Sequence, residues 1–289
     1  MIPWRFSLIF TIARRMKLIN FLKILLLLSA LFIFSCKQVE ENKESLIDWA
    51  YAEQHYLDAI NESILLMDSL AQVSVKSPAA KNLFRKARSA FKKAEPYASY
   101  LNPPVGHRAN GPALPVFLED TERVIPPIGL QKVEETIYEG AESQALFERE
   151  VKITRGLLAN LKQNIEQRDL TPQRFFIATH QQLLRIISLS ISGFDTPVSQ
   201  LGFGETQVSL NSLKDIYQNV LADRIEKTHP ELSASFLNNL DTAVEFVEGN
   251  KDFETFDRYT FIREYMNPIT RDWVAIRKAS DLWEGVNNK

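Results

Sequence analysis

The feature that most constrains this 289-residue chain is a helical spacing of apolar side chains that recurs along most of its length. Steps of three, four or seven residues place side chains on one face of an α-helix. Strand-like alternation is not sustained anywhere, so the sequence predicts an all-α fold. The first stretch with helical spacing contains Leu46, Trp49, Tyr56, Ile60, Ile64 and Met67.

Helix starts are visible as a capping side chain followed by proline. Ser77-Pro78 and Thr171-Pro172 have this pattern, and Ser45 can cap the first helix. Proline is tolerated in the first helical turn, because its missing N–H has no partner there. Inside a helix it removes a hydrogen bond, so we expect Pro96 to kink or end the second helix.

Turn-forming residues divide the rest of the chain at 102–115, at Pro126-Pro127 and over 198–205. The segments between them exceed the four helices of a single four-helix core. We therefore expect one large helical bundle, or two four-helix bundles packed side by side. The further predicted helices begin near Ile128, cover 143–168, run from Thr171 to Ser192, cover 208–228, 231–248 and 253–265, and run from Asn267 to Trp283.

The N-terminal region has the layout of an export signal. An apolar run from Ile24 to Phe34 is too short for a span of about 20 residues, and Ser35 precedes Cys36. This arrangement resembles a bacterial lipoprotein signal, which implies that the thiol of Cys36 is acylated and becomes the new N-terminus. The alternative is an uncleaved anchor with an incidental cysteine.

This resemblance divides the chain and gives it a location. We expect a signal peptide at 1–35, with 1–15 an over-extended start before Met16, a polar tether at 36–44 and a helical domain at 45–289. The mature protein would be lipid-anchored in the bacterial cell envelope, on the periplasmic or surface side of the outer membrane. Its membrane contact would be the lipid on Cys36.

Charge and cysteine content exclude several classes of function. Residues 1–35 hold five Lys/Arg and no acid, so the other 254 residues carry 29 basic and 36 acidic groups, net −7. Nucleic-acid binding calls for a basic face, so no nucleic-acid partner is expected. With Cys36 as the only cysteine, the chain lacks C-x-x-C-H haem attachment and thiolate metal sites, and we expect no cofactor.

Conventional catalytic motifs are missing from the sequence. It has no H-E-x-x-H, G-x-S-x-G or P-loop motif, and no catalytic residue is assigned. Charged groups in otherwise apolar segments need partners, and they either form structural pairs or line a pocket shared with Glu134. The candidates for this polar pocket are His107, Arg185, Asp195, Asp257 and Arg258, and Arg88 shares their apolar setting.

The segment from Gly129 to Glu134 carries a resemblance to a known family. Gly129, Gln131 and Glu134 occupy the positions of the G-x-H-x-x-E motif of imelysin-like proteins, with glutamine in place of histidine. The surrounding segments resemble, in order, a helical domain fused in front of di-haem cytochrome c peroxidases. They are Asn110–Pro115, Ile125–Gln131, Gly193–Pro197 and Phe256–Pro268, and the resemblance covers about 80–285.

The motif has two interpretations. Residues 131 and 134 share a helix face, where histidine and glutamate could hold one metal ion. Gln131 offers only an amide oxygen, which is a poor ligand for a transition metal, so we expect a packing and hydrogen-bonding role. A bound metal ion remains the alternative.

The resemblance implies a non-catalytic, imelysin-like lipoprotein. It would be an accessory or docking module of a di-haem cytochrome c peroxidase or of an iron-uptake system. Two alternatives stay open: a metal-binding or enzymatic, metallopeptidase-like imelysin protein, and a structural envelope lipoprotein without a small ligand.

Overall fold

The computed structural model describes residues 47–112, 114–118, 121–140 and 143–282. The predicted signal peptide, Cys36, the tether, Ser45 and Trp283 lie outside the described residues. The described chain is helical apart from one short hairpin, which confirms the all-α prediction. Contacts group Asp48–Lys289 into one compact unit. None of the described helices has the length and apolar character needed to cross a bilayer.

In the first half of the chain, the described residues form four α-helices and the hairpin. Helix α1 begins after Asp48, whose carboxylate accepts a hydrogen bond from the backbone N–H of Ala50. The elements are α1 (Ala50–Leu70), α2 (Pro78–Leu101), α3 (Pro103–Asn110), β1 (Leu114–Leu118), β2 (Thr121–Ile125) and α4 (Gly129–Glu135), which continues as a π-helical turn, Thr136–Gly140.

The second half is helical throughout its described length. Its elements are α5 (Gln144–Glu166), α6 (Pro172–Arg185) with the π-helical turn Ile186–Ser190, α7 (Gly202–Val220), α8 (Ala222–Thr228), α9 (Pro230–Gly249), α10 (Arg258–Thr260) with the π-helical turn Phe261–Met266, and α11 (Asn267–Ala279). The predicted caps are confirmed. Ser77 accepts from Ala79 N at 3.2 Å and Thr171 from Arg174 N at 3.3 Å.

The structure differs from the local predictions in two predicted loops and in the hairpin. Helix α2 does not end at Pro96 but continues to Leu101, because burial of Tyr97 and Ala98 on its inner face offsets the lost hydrogen bond. Residues 103–110 form α3 instead of a loop, and α7 begins at Gly202, inside the predicted 198–205 loop. The antiparallel hairpin pairs Leu114 with Ile125 and Leu118 with Thr121, and five-residue strands are too short to show sustained alternation.

Helix α2 lies at the centre of the unit. It contacts α1, α5, α6 and α7, while α9 packs against α7 and α11. Aromatic side chains connect helices of the second half of the chain. The indole N–H of Trp273 in α11 donates to Phe176 O in α6 at 3.2 Å. The inner face of α2 therefore faces helices from both halves of the chain, and any charge on that face is removed from water.

Candidate functional site

Three charged residues lie on the inner face of α2. Arg88, Lys92 and Glu95 are spaced by four and three residues, so their side chains leave one side of the helix. Arg88 and Lys92 are fully buried and Glu95 is nearly so. Since isolated charges are very unfavourable in an apolar interior, each requires a partner there.

Lys92 is the hub of this group. Its ammonium donates to Asp195 Oδ2 at 2.5 Å and to Glu95 Oε2 at 2.9 Å, and it lies 4.0 Å from Glu205 Oε2. Gln182 Nε2 of α6 also donates to Glu95 Oε2, at 2.9 Å. One ammonium therefore links α2, α7 and the segment that follows α6.

Arg88 and Glu205 form the second half of the network. Two guanidinium nitrogens of Arg88 contact the carboxylate: Nε donates to Oε1, and Nη2 donates to Oε2 at 2.8 Å. This bidentate geometry is the strongest arrangement available to an arginine–carboxylate pair. We call Arg88, Lys92, Glu95, Asp195 and Glu205 the charge network.

The network fixes the segment 193–201, which connects the end of α6 to α7. Asp195 is bound by Lys92 and also accepts a hydrogen bond from Asn110 Nδ2 at the end of α3. One residue later, Thr196 Oγ1 accepts from Gly202 N at 3.0 Å. The segment is thus anchored from inside by side chains of α2 and α3 and by the backbone N–H of Gly202 at the start of α7.

Glu134 of the motif anchors the same segment from the other side. It is fully buried, and its Oε1 accepts from Ser199 N and Ser199 Oγ at 2.6 Å and from Val198 N at 3.3 Å. One motif carboxylate oxygen is thereby used to position backbone.

The glycine of the motif is required by backbone geometry. Gly129 has a φ of +60°, and a Cβ there would collide with the carbonyl oxygens of Arg108 and Ala109. Gly111 has a φ of +79°, and Ile128 N donates to Gly111 O at 3.0 Å. Only glycine adopts this region readily, so α4 begins in close contact with the end of α3.

Burial and charge act in opposite directions on the two acids. Burial tends to raise the pKa of Asp195, but the charges of Lys92 and Arg88 hold it below its ordinary value. For Glu134 burial prevails: it raises the pKa despite the hydrogen bonds from Ser199 and the charge of Arg88. Asp195 is therefore ionised at neutral pH, whereas Glu134 holds a proton more tightly than an exposed glutamate.

Several polar atoms around the motif have no hydrogen-bond partner within the described part of the chain. They are Arg88 Nη1, Asn110 Oδ1, Gln131 Oε1 and Glu134 Oε2, all buried. The described residues contain no group of three or more His, Cys, Asp and Glu side chains that could hold a metal ion. The three oxygens among these atoms belong to amide and carboxylate groups, which are hard ligands for metal ions.

The predicted polar pocket is not brought together as a whole. Asp195 lies in the charge network, and Arg185 lies at its edge, where Nη1 donates to Gln182 Oε1 at 3.2 Å. Arg258 donates instead to backbone carbonyl oxygens, at 2.8 Å to Ile191 and 2.9 Å to Phe253, and Asp257 is exposed and caps α10 through Thr260 N. His107 is exposed on α3.

Sequence reasoning missed three of the five network residues, Lys92, Glu95 and Glu205, and also the amide side chains of Asn110 and Gln182 that donate to the network. A signal for two of them was present. The helical spacing that identified Arg88 among Phe84, Ala87 and Phe91 also places Lys92 and Glu95 on the same apolar side of α2.

An open depression lies beside the motif. Its volume is about 600 Å³, and it is lined by Gln131, Ser188, Ser192, Gly193, Phe194 and Pro197. Phe194 is 43% exposed although its neighbour Asp195 is fully buried. The segment 193–201 therefore presents an aromatic side chain outward while the charge network holds it from within.

No protein-family model matches the chain, and no curated protein matches it either. The imelysin-like assignment therefore stays a prediction from the residue pattern.

Proposed function

We propose that this chain is a lipid-anchored, imelysin-like accessory protein that docks a di-haem cytochrome c peroxidase or a component of an iron-uptake system. The docking surface is the depression formed by Gln131, Ser188, Ser192, Gly193, Phe194 and Pro197. The motif supports this surface and performs no chemical step. The lipid on Cys36 would hold the complex at the membrane.

One observation carries the proposal: the buried charges are used to pre-form an outward-facing segment. Asp195, Thr196 and Ser199 are each held by internal hydrogen bonds, and the adjacent residues Phe194 and Pro197 line part of the depression. A surface that is ordered before binding loses less conformational entropy when a partner docks. Exposed aromatic side chains are also frequent anchors of protein interfaces.

The first test compares two aspartate variants of the tagged full-length lipoprotein, purified from membranes of its native host. Phe194→Asp places a charge on the docking surface. Ile153→Asp places one on an equally exposed apolar residue of α5, since both side chains are 43% exposed. Co-purified proteins are separated under denaturing conditions and stained for covalently held haem.

We expect wild type and Ile153→Asp to retain a haem-staining partner and Phe194→Asp to lose it. A partner retained equally by all three proteins would reject the depression as the docking surface. Absence of any haem-staining partner from the wild-type sample would reject docking of a di-haem cytochrome c peroxidase.

A second candidate function is metal binding at the motif. It is favoured by the buried oxygens Gln131 Oε1 and Glu134 Oε2, which have no partner among the described residues. Under the docking proposal, the wild-type motif holds no metal ion. Gln131→His places an imidazole at the histidine position of the motif, so we expect calorimetry to detect zinc or iron binding that wild type lacks. Adding Glu134→Ala should remove this gain. Tight stoichiometric binding by wild type, lost in Glu134→Ala alone, would instead favour the metal-binding function.

A further inference from the structure

A histidine, a serine and an aspartate meet between α1 and α7. Nε2 of His55 lies 2.8 Å from Ser212 Oγ, and Nδ1 of the same ring lies 3.4 Å from Asp215 Oδ2. Tyr51 OH donates to Asp215 Oδ2 at 2.8 Å, which holds the carboxylate from the solvent side. Ser212 is buried, His55 is half-buried and Asp215 faces solvent.

The order of these contacts is that of an activated nucleophile. A hydroxyl is hydrogen-bonded to one imidazole nitrogen, and a carboxylate faces the other nitrogen and orients the ring. Ser212 is an interior residue of α7, and His55 is the partner found for its hydroxyl in the structure. We propose that Ser212, with His55 as its base, is a covalent acceptor for a small acyl group delivered by an activated ester.

A small cavity next to Ser212 supports this proposal and limits the size of the acyl group. Its volume is about 20 Å³, and both Ser209 and Ser212 line it together with apolar side chains such as Leu183 and Ile186. A cavity of this size holds about one water molecule, or a methyl group of similar size. The methyl of an acetyl group bonded to Ser212 would fit this cavity, whereas the chain of a longer acyl group would not.

Ser209 supplies a second, independent observation. It is only 6% exposed, and its Oγ has no hydrogen-bond partner within the described residues. It lies three residues before Ser212 on the same helix, so the two hydroxyls leave the same side of α7. A free buried hydroxyl beside the nucleophile can donate to an oxygen that becomes negative during acyl transfer.

The proposed acyl transfer to Ser212 has two stages. Ser212 Oγ attacks the carbonyl carbon of the ester, its proton moves to His55 Nε2, and the carbonyl oxygen accepts a hydrogen bond from Ser209. The ester C–O bond then breaks, the leaving alcohol takes the proton from His55, and Ser212 is left acylated. Backbone N–H groups inside α7 are used by the helix, so the hydroxyl of Ser209 is the group of α7 that would donate to the oxyanion.

His55 has the protonation state that a base requires. Burial lowers its pKa, and Lys93 of α2 acts in the same direction, against the attraction of Asp215 of α7 and Asp58 of α1. Tyr51 and Tyr56 of α1 are the other titratable groups beside the ring. The imidazole is therefore neutral at pH 7 and gains its charge only in more acidic solution.

The test uses the full-length protein in detergent with p-nitrophenyl acetate, and peptide mass spectrometry follows acetylation of individual serines. Ser188 is the control, since it is more exposed to the reagent than Ser212 and its hydroxyl donates to Leu184 O. We expect acetylation of Ser212 to exceed that of Ser188 and to fall about 100-fold in His55→Gln, the size of a general-base effect. Imidazole added to His55→Gly should restore part of the rate.

Two further readouts keep the test decisive if a His55 variant fails to fold. The wild-type rate at Ser212 should rise with pH and level off with a midpoint below about 6.5, the ordinary histidine pKa. Asp215→Asn, which changes a solvent-facing residue, should reduce the rate about tenfold or more.

The proposal is overturned if Ser212 reacts no faster than Ser188. It is equally overturned if its rate increases with hydroxide concentration without a plateau, or if the folded His55→Gln protein reacts as fast as wild type. The proposal is independent of the docking role, because neither the depression nor a partner takes part in it.

Discussion

Replacing Lys92 by methionine removes the hub of the charge network with little change in side-chain length. In wild type, the three carboxylates of the network share two cations, and Lys92 contacts Asp195 and Glu95 directly. In the variant, three carboxylates share Arg88 alone. Because all of these groups are buried, the unpaired charges cannot be stabilised by water.

The expected loss follows from burial. Breaking a buried ion pair by removal of one partner destabilises a protein by about 3–5 kcal/mol. Lys214→Met is the matched control, since Lys214 Nζ also lies 2.5 Å from its partner, Asp241, but both side chains are partly exposed. An exposed pair of the same length contributes at most about 1 kcal/mol.

The assay is urea unfolding at pH 7 and pH 4, followed by tryptophan fluorescence, to which the buried Trp273 contributes. Lys92 and Arg88 hold the pKa of Asp195 low, so its contribution to wild-type stability is present at neutral pH and is lost as pH falls below about 3.9. Without Lys92, burial should raise the pKa of Asp195, which then takes up a proton in acid. The deficit of the variant should therefore shrink from pH 7 to pH 4.

A double-mutant cycle separates charge from packing. Adding Asp195→Asn to Lys92→Met removes one of the stranded carboxylates, so the double variant should lose less stability than the sum of the single variants. The reasoning is refuted if Lys92→Met loses no more stability than Lys214→Met at pH 7. Strict additivity of the two changes at pH 7 would refute it as well.

Three further predictions concern the motif and the anchor. Gly129→Ala should destabilise the fold by about 1–3 kcal/mol, because the backbone of Gly129 has a positive φ. Gly156→Ala, in open space within α5, should instead stabilise the fold by about 0.5–1 kcal/mol. Thermal unfolding of the two variants measures both changes. Burial raises the pKa of Glu134, so its contribution to stability falls as pH rises above about 4.3, and urea unfolding between pH 4 and 7 should show that Glu134→Gln lacks this decline. Cys36→Ser should abolish incorporation of a fatty-acid label, and a variant that still incorporates label would disprove acylation at this position.

Helix content and helix starts could be predicted because they depend on local rules. Ser77 and Thr171 cap their helices through contacts three or fewer residues away, and the sequence shows both partners side by side. Pro96 shows the limit of such rules. The local preference against an interior proline is outweighed by burial of the helix end that follows it, which depends on the packing of α2 against other helices.

The site was predictable only in part, for a related reason. Asp195 and Arg88 stand out as charges in apolar segments, but their partners are separated by 103 positions for Lys92–Asp195 and 117 for Arg88–Glu205. Charge and hydropathy identify a residue that needs a partner and do not say which residue supplies it. The choice is made by helix packing, which a single sequence does not encode in any local pattern.

The motif and the charge network have one structural consequence in common. Glu134 holds Ser199, and Lys92 and Asn110 hold Asp195, so the segment between α6 and α7 is fixed at both ends by groups that lie far apart in the chain. Buried charges add little net stability compared with apolar packing, but they tolerate few alternative arrangements. On the inner side of the exposed Phe194, these charges and Glu134 hold the segment that carries the aromatic side chain.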